Sequence, residues 1–520
     1  MDILTKLLVT VTGAGAVALG ALYFVHMLQL SSYQFGSYSH FLKKNVLAAF
    51  SLSRAAAVFM VAPYWMQVCR PAPFYAGIFV IYLLMNPLQK AKKPLVITAR
   101  VKRLFFTLAV LYAVPLVFWW VSPRYEFCMP LMGLMLYLMP LAVMLANLIN
   151  RPAEKAVSHW YVNDARKKLE AMPQLIVVGI TGSFGKTSTK YFLNALLSTK
   201  YHVLMTPGNY NTTLGVVRTV REMLLPTHQL FLCEMGARHE GDIREICRLV
   251  KPRYGVLTAI GEQHLESFGS VETICRTKFE LIDALPREGM AFLNGDNPII
   301  AGHPVEKPTV FYGLEEGRDY RAHDIRVTAA GTEFSVLMPD GAEVPFRTRL
   351  LGAHNVQNIT GAIAVAHKLG VTAEQMQAAV RQLEAVPHRM QLIRGGSYAV
   401  IDDAYNSNPA GAKAALETLQ LCGGTKILVT PGMVELGERE EELNRAFGAQ
   451  AAEACDYVAL VGPRQTEPIR RGLLEAGFAE EKLLVADTLQ QAMEWARQCG
   501  DVSQPKFILL ENDLPDNYLK

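Results

Sequence analysis

Among eight cysteines, running from Cys69 to Cys499, there is no CxxC pair and no zinc-like spacing. That argues against a redox motif or a structural zinc site and leaves buried, reduced thiols. Acids are almost missing from the first 150 residues, where Asp2 and Glu126 stand against about twelve Lys and Arg. The remainder is net acidic, although the 520-residue chain carries a formal charge of +4. The basic excess lies between apolar runs rather than along one face, so it is not a nucleic-acid footprint. No short-period repeat or low-complexity tract occurs, which sets aside solenoids and repeat arrays. The length allows two or three domains with cores of their own. Glycine, too, is missing where it matters. Residues 179–190, GITGSFGKTSTK, read as a phosphate-holding loop, yet Ile180 stands where the strict pattern has its first glycine.

What the first 150 residues do have is long apolar runs. Residues 7–30, 105–121 and 127–149 are each long enough to span a bilayer, and the block 46–88 reads as two further spans broken near CRPAP. No small-residue cleavage site follows the first run, so it reads as an uncleaved anchor. The stretch KAKKPLVITARVKR at 90–103 holds basic residues and no acid, which makes it cytoplasmic by the positive-inside rule. The expectation is a bacterial cell-membrane protein with four or five spans in residues 1–150 and its catalytic part in the cytoplasm.

Residues 151–172 read as an amphipathic linker helix closed by Pro173. The apolar run LIVVGIT then gives a buried strand, followed by the glycine loop and a helix-like stretch. Strands and helices go on alternating, which is an α/β parallel sheet covered on both faces. Around 318–350 the pattern turns to alternating apolar and polar residues, a small antiparallel insertion. A second α/β unit starts near YAVIDDAY at 398–405.

A glycine-rich turn between a buried strand and a helix aims backbone N–H groups at one point, at the positive end of the helix dipole. Lys186 adds a mobile cation for the β- and γ-phosphates, and Thr187 a hydroxyl for Mg²⁺. The loop says nucleoside triphosphate and leaves the reaction open. Glu234 ends an apolar strand, FLCEMG, where a lone carboxylate is costly unless it binds a metal or a donor. Asn355 and Asn358 sit three apart at a helix start, where capping is the plain alternative to binding.

Six motifs occur in order: TGSFGKTSTK (181–190), TPGNYNTTLG (206–215), CEMGARHEGDI (233–243), EQHLESFGSVETICRTKFEL (262–281), GAHNVQNITGA (352–362) and DDAYNSNP (402–409). Together they resemble the Mur ligase family, nearest to its D-alanyl-D-alanine-adding branch, in which the shortened glycine loop is the rule. The resemblance implies an ATP- and Mg²⁺-dependent, ADP-forming acid–amino-acid ligase that activates a carboxylate as an acyl phosphate for attack by an amine. Such chemistry needs cations and positioned donors more than a nucleophilic side chain. The implied fold is α/β: a central P-loop ATPase domain over 173–388 and a C-terminal Rossmann-like domain over 389–520, behind an α-helical transmembrane region. By the same resemblance Lys186, His264, Lys278 and Arg389 are catalytic. Thr181, Gly182, Ser183, Gly185, Lys186, Thr187, Ser188, Asn355, Asn358, Arg389 and Asp403 hold the nucleotide. Thr187, Glu234, His264 and a carbamylated Lys278 hold metal, and Asn209, Asn211, Tyr405, Asn406 and Asn408 face the substrate.

Three departures mark this chain. The family's UDP-gripping first domain is replaced by the apolar region. TPGMVELGERE at 430–440 lacks an acid that the family commonly has after its glycine. The chain ends in ENDLPDNYLK, with Glu511 and Asp513 where a lysine-glycine-serine-arginine run is usual. These suggest a small-molecule or lipid-linked carboxylate presented at the membrane, an amino acid or dipeptide as the amine, and an envelope-synthesis or export partner. A poly-γ-glutamate synthase-like polymer ligase and a non-catalytic membrane scaffold are the alternatives.

Overall fold

The computed structural model describes residues 3–45, 80–81, 84, 94–121, 134, 136–208, 210–263, 265–328, 331–395, 398–405, 407–501 and 504–513. The chain divides into two compact units that meet in sequence at Trp160 and Tyr161.

The first unit is helical. It holds α1 (Ile3–Leu30), α2 (Phe35–Lys44), α3 (Ala99–Val121) and the start of α4 (Met139–Glu170). Val9, Phe24, Leu28, Leu104, Leu108 and Val143 pack into one core among these helices. Polar ties cross the same contacts. Trp120 Nε1 donates to Thr10 Oγ1 at 3.1 Å, and Arg103 grips both oxygens of Glu154 at 2.7 and 3.0 Å.

The multi-pass membrane localisation is corrected here. Among the described residues two helical stretches, Lys6–Leu30 and Ala99–Phe118, are long and apolar enough to cross a bilayer, not four or five. An N-terminal signal or an apolar core helix meets the same measure, so two such helices are weak support. Most of 46–88 lies outside the described residues. The expected third span and the linker helix are not separate elements either. From Met139 onward they form one helix of 32 residues that carries Pro152 in its interior.

The second unit contains two sheets. The first has nine strands: β1 (Ile176–Thr181), β2 (Val203–Met205), β3 (Leu230–Glu234), β4 (Tyr254–Leu257), β5 (Met290–Asn294), β6 (Thr309–Gly313), β7 (Tyr320–Thr328), β8 (Gly331–Leu337) and β9 (Glu343–Thr348). Their order is β2-β3-β1-β4-β5-β6-β7-β8-β9. The run from β2 to β7 is parallel, and β7, β8 and β9 pair antiparallel. The antiparallel strands therefore extend the main sheet instead of forming a separate one.

Helices cover both faces: α5 (Lys186–Leu197), α6 (Thr213–Met223), α7 (Asp242–Val250), α8 (Val271–Asp283), α9 (Ala353–Lys368) and α10 (Ala373–Arg381). Because strand side chains alternate, Val178 and Ile180 pack with α5 and α9, while Val177 joins the core under α7 and α8. That two-sided burial is why β1 reads as a continuous apolar run.

The second sheet holds β10 (Gln391–Gly395), β11 (Tyr398–Asp403), β12 (Thr425–Thr430), β13 (Tyr457–Val461), β14 (Leu483–Ala486) and β15 (Lys506–Glu511) in the order β10-β11-β15-β12-β13-β14. Only the β10–β11 pairing is antiparallel. Its helices are α11 (Pro409–Gln420), α12 (Glu440–Ala454), α13 (Glu467–Glu475) and α14 (Leu489–Gln498). The carboxyl ends of β11, β15 and β12 lie side by side, the edge at which open α/β sheets receive ligands.

Candidate active site

The phosphate loop runs from the end of β1 to the start of α5. Two glycines make its path possible. Gly182 has φ 150°, and a side chain there would collide with Thr258; Gly185 has φ 83° and caps α5 in the left-handed region. The loop is tied to the next strand end. Ser183 N–H donates to Ala259 O, Gly261 N–H donates to Ser183 Oγ at 3.1 Å, and Thr258 Oγ1 donates to Phe184 O. A small cavity opens against residues 183–188, closed on its other side by Gln263, Arg389 and Asn408.

Lys186 reaches back over the loop, donating to Gly182 O at 2.7 Å and Ser183 O at 2.9 Å. Its ammonium is thus folded into the cradle where phosphate oxygens would compete for it. Its pKa falls to about 8: burial lowers it most, Glu234 raises it, and Arg389 adds a smaller lowering. A cation kept in this state gains from an arriving anion, which supplies the missing negative charge.

Glu234 is the node of the site. It ends β3 beside Ile180 of β1, and its side chain is buried. Thr187 Oγ1 donates to its Oε1 at 3.2 Å, and Asn211 Nδ2 donates to the same oxygen at 3.0 Å. Lys190 Nζ lies 2.9 Å from Oε2. Burial alone would raise this carboxyl; Lys190 and then Lys186 outweigh it and hold it below the usual range. A hydroxyl and an ionised carboxylate beside a phosphate cradle form an oxygen set that suits a hard divalent cation. Lys190 is absent from the sequence reading. Its only signal there was its place one helical turn beyond Lys186 on a face that the α/β pattern buries.

Lys278, on α8, is buried, and burial first and Lys186 second lower its pKa to about 7. Its Nζ sits 5.9 Å from the Phe268 ring centre. Arg389 stacks on Tyr405 at 4.2 Å, in a linker where His388 and Met390 both take positive φ. Asp403 accepts from Met390 N–H at 3.0 Å, and burial pushes its pKa up to about 6. It faces Glu511 across the β11–β15 register, and Ser407 Oγ donates to Glu511 Oε1. Burial, then the Asp403 charge, pushes the Glu511 carboxyl well up.

The remaining expected residues divide. Ser188 lines the cavity with the loop, and Asn408 both lines it and caps α11 through Gly411 N–H. Asn358 accepts from Thr189 and packs against Gly185. Thr181 spends its hydroxyl on Met235 O, and Asn355 spends its amide on Leu351 O. Asn209, His264 and Asn406 lie outside the described residues.

Family models match both halves of the second unit: the Mur ligase middle domain over residues 180–366, and the Mur ligase glutamate ligase domain over 388–510. The chain is 32% identical over 356 residues to the UDP-N-acetylmuramoyl-tripeptide–D-alanyl-D-alanine ligase of Escherichia coli, covering 65% of this chain and 78% of that one. It is 37% identical over 276 residues to the Bacillus subtilis ligase of the same description, covering 52% of this chain and 59% of that protein. The match thus spans under two thirds of the Bacillus protein's length. Among solved structures, MurF from Acinetobacter baumannii superposes with a TM-score of 0.62 at 29% identity, over 68% of this chain and 77% of that one. The MurF ligase of Thermotoga maritima in complex with ADP gives 0.62 at 27% identity, over 70% and 81%.

Proposed function

The chain belongs to the Mur ligase family, whose members are ATP- and Mg²⁺-dependent acid–amino-acid ligases, and we propose that this protein catalyses such a ligation in cell-wall precursor synthesis. The names of its relatives describe, for them, a UDP-linked muramoyl tripeptide and D-alanyl-D-alanine, and we take this pair as the substrates to test first, although the residues the family models match begin only at 180 and the terminal run departs from the family's. One observation carries the reading. Lys186 and Thr187 from the phosphate loop share one small cavity with Arg389 and Asn408 of the C-terminal half, and Glu234 meets Thr187 beside it.

The loop N–H groups and the α5 dipole receive the phosphates, and Lys186 exchanges its loop carbonyls for phosphate oxygens. Arg389 offsets charge on the transferring phosphoryl group. Thr187 and Glu234 would hold Mg²⁺, which would neutralise charge on the phosphate oxygens. A substrate carboxylate oxygen attacks the γ-phosphorus, the bond to the β-phosphate oxygen breaks, and ADP leaves. The amine then attacks the acyl carbon; the C–N bond forms, the C–O bond breaks and phosphate departs. The buried, poorly charged Lys278 amine suits addition to carbon dioxide, and the resulting carbamate gives the site a second anionic ligand. Closure of the C-terminal half, which brings Arg389 and Asn408 to the loop, would keep water from the acyl phosphate.

Phosphate release is the test. With ATP and Mg²⁺, release requires both the UDP-linked muramoyl tripeptide and D-alanyl-D-alanine, and Lys186→Ala lowers it by about 100- to 1000-fold. Release that ignores either partner means simple ATP hydrolysis.

A further inference from the structure

The second oxygen of Glu234 has a partner that the mechanism does not use. Lys190 is fully buried, and its Nζ lies 2.9 Å from Glu234 Oε2. The same ammonium donates to Gly208 O at 2.7 Å. Gly208 belongs to the segment between β2 and α6, and Asn211 of that segment donates to Glu234 Oε1. Lys190 on the helix of the phosphate loop, Gly208 and Asn211 therefore converge on the carboxylate that ends β3.

Stability is a poor explanation for this pair. Taking two charges out of water costs about as much as their attraction returns, and apolar replacements of like volume are often no worse. Fixing a carboxylate is a better one. A Glu side chain has three rotatable bonds, and a cation site needs one oxygen held toward it. With Oε2 pinned by Lys190, Oε1 is left beside the Thr187 hydroxyl, at the mouth of the phosphate loop.

We propose that Lys190 is a positioning residue for divalent-cation-dependent nucleotide binding, fixing Glu234 toward the cation and tying Gly208 and Asn211 to the same carboxylate. This rests on the reading of the site as one for Mg²⁺ and ATP. It makes two bindings interdependent. A cation that draws on Glu234 tightens the hold on Gly208 and Asn211 through Lys190 and Glu234, and loosening those two contacts weakens the cation site.

The test is calorimetry of ADP binding to the full chain, with and without Mg²⁺, for the wild type, Lys190→Met and Lys190→Gln. Metal-free ADP binding, which depends on the loop and Lys186, stays within twofold in both variants. The gain in affinity that Mg²⁺ brings falls at least tenfold in Lys190→Met and less in Lys190→Gln, which keeps an N–H donor. An unchanged gain in a folded variant overturns the proposal and leaves Lys190 a structural residue. Should neither variant fold, amide hydrogen exchange on the wild type decides. Exchange at Gly208 and Asn211 slows with Mg²⁺ and ADP together but not with ADP alone, and equal slowing by both contradicts the coupling. A wild type that binds no ADP under either condition removes the nucleotide reading and this inference with it.

Discussion

At the scale of residues, the site works by keeping charges slightly uncomfortable. Lys278 is the clearest case, since burial leaves much of its amine uncharged near neutral pH, the form that reacts with carbon dioxide. Turnover is expected to fall several-fold in carbon dioxide-depleted buffer and return on adding bicarbonate, while Lys278→Arg is slow and indifferent to both. Equal rates in both buffers rule the carbamate out. The Asp403–Glu511 pair gives a second prediction. Both carboxyls are raised, so the folded chain holds protons that the unfolded chain has released by about pH 4–5. This contribution is present at low pH and is lost as pH rises through about 6. Glu511→Gln, which removes one of the facing charges, therefore melts higher than the wild type at pH 8 and close to it at pH 5. Parallel melting curves across that range contradict the raised pair. Which residues matter was partly legible. Lys186, Thr187 and Glu234 stand in the ordered motifs and Arg389 entered through the resemblance, and the cavity brings the loop and Arg389 together. Lys190 was not legible, because a lysine inside a helix reads as solvated until the β3 register puts Glu234 beside it.

At the scale of elements, the phosphate loop is a strand–turn–helix whose path only glycine permits at two places. Ile180, the residue that breaks the strict loop pattern, lies inside β1 and is fully buried, so this position belongs to the sheet rather than the turn. The loop proper begins at Gly182, with φ 150° and Thr258 and Ala259 packed against it. Gly182→Ala should cost about 1–3 kcal/mol by backbone strain and collision. It should also weaken ADP binding at least tenfold, which calorimetry and a melt would show together. Wild-type affinity in this variant means the turn tolerates a side chain and the account of the loop is wrong. Elements of this kind were readable from pattern, as LIVVGIT is β1 and the run into KTSTKYFLNALL is α5. The antiparallel strands β7 to β9 were readable as strands, but not as an extension of the main sheet. That depends on the parallel β6–β7 pairing, which no local pattern carries.

At the scale of the whole molecule, the two halves of the ligase unit touch beside the cavity. Arg439, before α12, pairs with Glu262, next to the cavity-lining Gln263, and Arg238 lies 3.6 Å from Glu435. These pairs are solvent-facing and salt-screened, so each contributes little to stability. Their effect is expected on closure: Arg439→Ala lowers turnover a few-fold with an unchanged melting temperature, and the wild type loses rate toward the variant's level as salt rises. A variant as fast as the wild type at low salt removes Arg439 from closure. The largest misreading also belongs at this scale. Four or five spans were expected, while among the described residues two helical stretches, in α1 and α3, have the length and apolar composition to cross a bilayer, and an N-terminal signal or an apolar core helix meets the same measure. The continuity of α4 through Pro152 was equally invisible, since a proline in sequence reads as a boundary.

The central claim is that a carboxylate becomes an acyl phosphate in this site before an amine takes its place. It is tested most directly with oxygen-18 in the terminal carboxylate of the UDP-linked muramoyl tripeptide, together with ATP, Mg²⁺ and D-alanyl-D-alanine. The account predicts that each phosphate released carries one labelled oxygen from the carboxylate, in step with amide formation. Unlabelled phosphate, or phosphate released without amide, would contradict it.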